Sequence, residues 1–108
     1  MCGIAGIIHF DSGGFDVGAL ERMGAAMHMR GPDDEGYAVF PSMDARGTAY
    51  SSRSTPPTNQ KNTEHWYPSR PVASVTCKIR VGLVHTRLSI VDLSPTGYQP
   101  MSTRDRRY

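Results

Sequence analysis

Met1-Cys2-Gly3-Ile4-Ala5-Gly6-Ile7-Ile8 opens the chain and ties the fold to a candidate chemistry. The apolar run from Ile4 to Ile8 reads as a buried strand. Such a strand would hold Cys2 firmly at the edge of a core. Gly3 and Gly6 let another backbone or a substrate come close. A small residue at position two permits removal of Met1. Cys2 would then carry a thiol and a free α-amino group together. An α-amine titrates near ~7.7–8.0, so part of it is an unprotonated base at neutral pH. It can take the proton from its own thiol and so activate the nucleophile. The plain alternative is that position two is merely small and its thiol idle. These residues leave both readings open.

The chain has 108 residues, enough for one small domain. Its hydrophobic share is 38% and its mean hydropathy is −0.43, which describes a soluble chain with a modest core. A net charge of +2 gives no footprint for nucleic acid or an acidic membrane surface. No apolar stretch approaches membrane-spanning length. The start lacks the basic residues and long apolar segment of a signal peptide. Two cysteines, Cys2 and Cys77, do not make a disulfide framework, and a reducing cytoplasm suits them.

Beyond the first strand, Asp11-Ser12-Gly13-Gly14 is a turn by composition. Asp16 reads as a helix N-cap. Leu20, Met23 and Met27 then recur at helical spacing, with Ala19 and Ala26 beside them. The methionines are core packing, and Gly31 and Pro32 end the helix. Arg30-Gly31-Pro32-Asp33-Asp34-Glu35-Gly36 is a turn in its own right. A functional reading would make Arg30 a fixed cation near an active site. Residues 36–40 form a short strand. Residues 41–71 turn polar and read as a long surface loop, with Trp66 and Tyr67 nearly its only large apolar groups. Trp66 pins that loop to the domain or contacts a partner. Alternation returns with Val75, Cys77, Ile79, Val81 and Leu83 on one face, which predicts a half-buried strand and a core Cys77. Leu88-Ser89-Ile90-Val91 is a second strand candidate, and residues 92–97 are the next turn.

Three segments now stand in order: Met1-Cys2-Gly3-Ile4-Ala5-Gly6, Arg30-Gly31-Pro32-Asp33, and His85-Thr86-Arg87-Leu88-Ser89-Ile90-Val91-Asp92-Leu93-Ser94 with Gln99-Pro100 behind. Together they closely resemble the N-terminal glutaminase domain of asparagine synthetases, a class II (N-terminal nucleophile) glutamine amidotransferase. The resemblance covers roughly residues 1–40 and 84–108, and the 41–71 loop is unmatched. Pairing Arg-Gly-Pro-Asp with Arg-Leu-Ser-Ile-Val-Asp points to the asparagine synthetase branch rather than to relatives making glucosamine-6-phosphate or phosphoribosylamine.

The resemblance implies an α+β fold, the αββα sandwich of N-terminal nucleophile hydrolases, of which residues 1–108 would be the N-terminal portion with an insertion at about 41–71. It implies that Cys2 attacks the carboxamide of glutamine, releasing ammonia and leaving a glutamyl thioester for water to cleave. It gives Arg87 the substrate α-carboxylate, which a planar guanidinium suits by its paired donors. Main-chain groups of Ser89, Ile90 and Val91 would border the glutamine pocket, and Arg30 and Gly3 would support it. No cofactor or metal is implied for this part. ATP and Mg²⁺ belong to a synthetase domain, which the resemblance would place in cis and which activates aspartate or a related carboxylate; a homodimer of the full-length protein is compatible with it. The four histidines match no metal-ligand spacing.

Two family segments are missing from this sequence: Asn-Gly-Glu, which supplies oxyanion-hole donors, and Gly-Ser-Asp, which binds the substrate amine. One oxyanion donor is worth ~3–4 kcal/mol. A truncated domain would therefore be crippled in turnover, and it would expose apolar surface and strand edges. Two other functions compete: a non-catalytic remnant acting as a binding module, and a small interaction protein using the 41–71 loop.

Overall fold

The computed structural model describes residues 1–52, 55, 68, 70–92, 94–103 and 105. Strand β1 spans Gly3–Ile8, helix α1 Gly18–Met27, β2 Asp34–Phe40, β3 Thr48–Ser51 and β4 Val81–Arg87. The strands form one four-stranded sheet in the order β1-β4-β2-β3, and every neighbouring pair is antiparallel. β4, last in sequence, lies between β1 and β2. Among the described residues the result is a small α+β unit with one α-helix on one sheet face.

Side chains alternate across the sheet. Ala5, Ile7, Tyr37, Val39, Tyr50 and Val84 point to the helix side, where they pack with Leu20, Phe15, Met23, Met27, Val72 and Ile79. Leu20 is 0% exposed. It lies directly on β4 at Gly82, where a Cβ would sit 2.2 Å from its Cδ1. Only a residue without a side chain lets the helix come this close to the strand. Thr86, also on this face and fully buried, donates its hydroxyl to the Met27 carbonyl at 3.4 Å, fixing the last turn of α1 against the end of β4.

Among the described residues, the opposite face is covered at one end only. Tyr98 and Gln99 lie over Gly36, and the Tyr98 hydroxyl, kept protonated by burial, donates to the Tyr50 carbonyl at 2.9 Å. At the β1 side of this face Ile4 is 76%, Ile8 54% and Leu83 36% exposed. The apolar surface expected from the sequence is present here. A second sheet and second helix layer are not seen among the described residues, so the sandwich is not established.

Several local readings need correction. β1 is an edge strand, not a buried one: Ile7 packs in the core, while Ile4 and Ile8 lie on the face that has no layer above it among the described residues. Asp16 does not cap α1: the N-cap is Val17, without a side-chain bond, because the Asp16 carboxylate pairs with Lys78 at 2.8 Å. Within residues 41–71, β3 folds onto β2. Trp66 and Tyr67 lie outside the described residues. The alternating run from Val75 begins as a 3-10 turn at Val72–Ser74 and irregular chain, with Cys77 exposed. Ile79 is buried in the core, with a bridge to Phe15, and Val75 packs half-buried against it. In β4 the phase is the reverse of the one expected: Gly82, Val84 and Thr86 are buried and Leu83 is exposed.

The Leu20–Gly82 contact gives a prediction. Leu20→Ala should destabilise by about 2–5 kcal/mol and Gly82→Ala by about 1–3 kcal/mol through overpacking. The double variant should cost clearly less than their sum in urea denaturation, because the vacated leucine volume accepts the new methyl. Additive losses would show that the two residues do not bear on each other.

Candidate active site

At the Arg87 end of β4, chain stretches from three parts of the sequence meet. β1 pairs with β4 so that Gly3 faces Thr86. That places Cys2 just beyond the strand end, with its Sγ 3.4 Å from the Leu88 amide nitrogen, which donates to it, and 3.9 Å from the Leu88 carbonyl oxygen. Both Met1 (79%) and Cys2 are exposed.

The second stretch arrives from the helix. α1 tightens into a 3-10 turn at His28–Arg30, and Gly31 then passes so near β4 that a Cβ there would lie 2.5 Å from the Arg87 nitrogen. Any other residue would push this segment off the strand. Pro32 forms a parallel bridge with Arg87. The Asp33 amide donates to the Arg87 carbonyl at 3.0 Å, and its carboxylate accepts from the Ser89 amide at 2.7 Å.

The third stretch follows Arg87. Its guanidinium donates to the Asp92 carbonyl and, at 3.4 Å, to the Ser94 carbonyl. It also packs against Gly97. The turn is closed from within as well: the Ser94 amide donates to Asp92 Oδ1 at 2.8 Å. Hydrogen bonds from Ser94, with the nearby Arg87 charge, hold the Asp92 carboxyl below its usual range. Arg87 is thus half-buried, with its fork aimed at the 92–97 turn.

Of the residues singled out from sequence, the fold brings Cys2, Gly3 and Arg87 to one strand end, with Ser89 tied to Asp33 beside them. Arg30 is exposed at the end of its turn. Residues 88–91 are not a strand: β2 starts only at Asp34, so the chain after Arg87 has no ladder partner among the described residues and is held by the Asp33 side chain instead. Ile90 and Val91 are consequently 81% and 93% exposed. The sequence reading passed over Leu88, whose contribution is a main-chain amide and so leaves no trace in residue type. It also gave no role to Asp33, although an aspartate two residues after a glycine-proline turn is a good side-chain acceptor for a nearby amide.

His85 lies on the other side of the cluster, between Ile4 and Gly36 in the sheet register. Its Nδ1 is buried without a hydrogen-bond partner among the described residues. Burial, and secondarily the Arg87 charge, lower its pKa.

Comparison with known proteins agrees with the motif resemblance. The chain is similar to the glutamine-hydrolysing asparagine synthetases. It is 34% identical over 103 residues to a protein of Methanocaldococcus jannaschii named "Putative asparagine synthetase (glutamine-hydrolyzing) 2", an alignment covering 94% of this chain and 13% of that protein. No family model matches the chain, and no solved structure matches it. No helix among the described residues is long and apolar enough to cross a membrane.

The His85 environment sets a pH dependence. Folding holds the imidazole neutral, so below its ordinary value near 6.5 the unfolded chain binds the extra proton. Stability should therefore rise with pH up to about 6.5 and fall on acidification from 7 toward 5.5. In His85→Gln this slope should flatten, as read from urea midpoints across that range.

Proposed function

We propose that the junction at Leu88 is the nucleophile end of a glutaminase site in an asparagine synthetase-like protein. The observation that supports this reading is the meeting of Cys2, Gly31-Pro32-Asp33 and Arg87-Leu88-Ser89 at one strand end, from positions up to 86 residues apart. Such convergence would have no reason to include an exposed cysteine in a purely structural joint. The similarity to a glutamine-hydrolysing synthetase supplies the substrate.

On this reading Met1 is removed and the Cys2 amine becomes the base. It accepts the thiol proton as sulfur attacks the carboxamide carbon of glutamine. The S–C bond forms, the C–N bond breaks, and the same proton passes to the departing nitrogen, which leaves as ammonia. Water then cleaves the thioester, yielding glutamate and restoring the thiol. The Leu88 amide is already directed at Sγ and holds the sulfur at the strand end. Arg87 offers its remaining donors to the substrate α-carboxylate, while Ser89 and the neighbouring main chain of Ile90 and Val91 flank the substrate. Arg30 and Gly3 support the pocket.

The ammonia would serve ATP-dependent amidation of aspartate or a related carboxylate by a synthetase domain acting in cis. The glutaminase step is written with groups of this chain and water alone, and ATP and Mg²⁺ would serve the synthetase domain. Two exposed, unpaired cysteines suit a reducing cytoplasm.

Intact-mass analysis after treatment with an electrophilic glutamine mimic tests the proposal. Loss of Met1 and a single adduct, absent in Cys2→Ala and suppressed by excess glutamine, is the expected outcome. Retained Met1, or labelling indifferent to glutamine, would remove it.

A further inference from the structure

On the helix side of the sheet, away from Cys2, α1 does not close over β2 and β3 completely. A cavity of about 600 Å³ remains, bounded by Glu21, Ala25 and His28 of the helical segment, by Glu35 and Tyr37 of β2, and by the chain at Ser51, Ser52 and Pro71–Ala73. That volume lies in the range of small-ligand sites. The walls at Ala25, Pro71, Val72 and Ala73 are apolar.

The floor of this cavity is charged. Glu35 is 7% exposed, yet it has no cationic partner among the described residues. One of its oxygens accepts the Tyr37 hydroxyl at 2.5 Å. Burial and that same carboxylate keep Tyr37 protonated, so it serves Glu35 only as a neutral donor. The second oxygen of Glu35 has no hydrogen-bond partner among the described residues and belongs to the cavity wall. Taking a carboxylate out of water without a cation is costly. A second carboxylate, Glu21, stands on the facing helix, half-buried. Among the described residues the only basic group on the cavity wall is His28, which is itself exposed.

We infer that this cavity binds a small organic cation, a primary ammonium carrying a short apolar chain. Its N–H donors meet the open oxygen of Glu35, Glu21 supplies a second negative charge, and the alkyl part lies against Val72 and Ala25. This site is separate from Cys2, which lies just beyond the end of β1 against Leu88, across β4 from Glu35.

The test uses the whole chain and n-butylammonium, with 1-butanol as its uncharged counterpart. Amide shifts followed by NMR should move at Ala25, Glu35, Tyr37 and Val72 with the amine, and weakly or not at all with the alcohol. Glu35→Gln, which can still accept from Tyr37, should weaken amine binding about tenfold or more, the usual scale for losing a buried charged partner. Glu21→Gln, on the helix surface, should keep the fold and weaken binding about threefold, as expected of a more exposed charge. Cys2→Ala should leave all of this unchanged, so failure here and failure of the glutaminase reading are separate events. Equal binding of amine and alcohol, shifts at other residues, or amine binding untouched by Glu21→Gln and Glu35→Gln would overturn the inference, as would no binding at all.

Discussion

Everything in this molecule is referred to β4. It is hydrogen-bonded along both edges, to β1 on one side and β2 on the other. A strand paired on both sides cannot shift by one residue without turning every side chain to the wrong face of both neighbours. Leu20 seated on Gly82 locks the helix to the same strand. The positions of the chain segments beyond the ends of β1 and before β2 follow directly. Cys2 must emerge next to Leu88, because Gly3 is opposite Thr86. Asp33 must reach the chain after Arg87, because Asp34 is opposite Arg87.

The end of β4 is therefore a place where main-chain and side-chain groups are positioned by a sheet rather than by a loop. The cost of that arrangement is visible on either side of it. The segment after Arg87 has no strand to pair with, and is held by hydrogen bonds from Arg87 and to Asp33. The face bearing Ile4, Ile8 and Leu83 stays bare. A glutaminase reading makes sense of the first feature, since a substrate α-carboxylate and an Arg87 fork whose donors are already partly committed would have to share the same few ångströms.

The elements marked by strong local signals were legible in the sequence. Helical spacing of Leu20, Met23 and Met27 gave α1, and the glycine-proline pair after Arg30 gave its end. The apolar start gave β1, and the Arg-Gly-Pro-Asp and Arg-Leu-Ser segments marked the two strands of chain that meet at Cys2. What could not be read depended on partners. Asp16 has the look of a cap, but Lys78, distant in sequence, takes its carboxylate. Ile90 and Val91 have strand propensity, but no strand among the described residues pairs with them. The alternation from Val75 to Leu83 was real in spelling and wrong in phase: the close seat required by Leu20 puts Gly82 inward, which sends Leu83 out. β3 lay hidden in a polar stretch because its four residues are stabilised by pairing with β2 rather than by their own apolarity. The buried Glu35 and the amide of Leu88 leave no signature in composition at all.

The central claim is that the Leu88 junction is where glutamine sits. Amide chemical shifts of the chain on titration with L-glutamine test it most directly. The account predicts saturable shifts concentrated at Gly3, at residues 31–33 and at residues 87–89, with D-glutamine much weaker. Shifts scattered elsewhere, or none at this strand end at millimolar glutamine, the weak end of ordinary affinities, would contradict it.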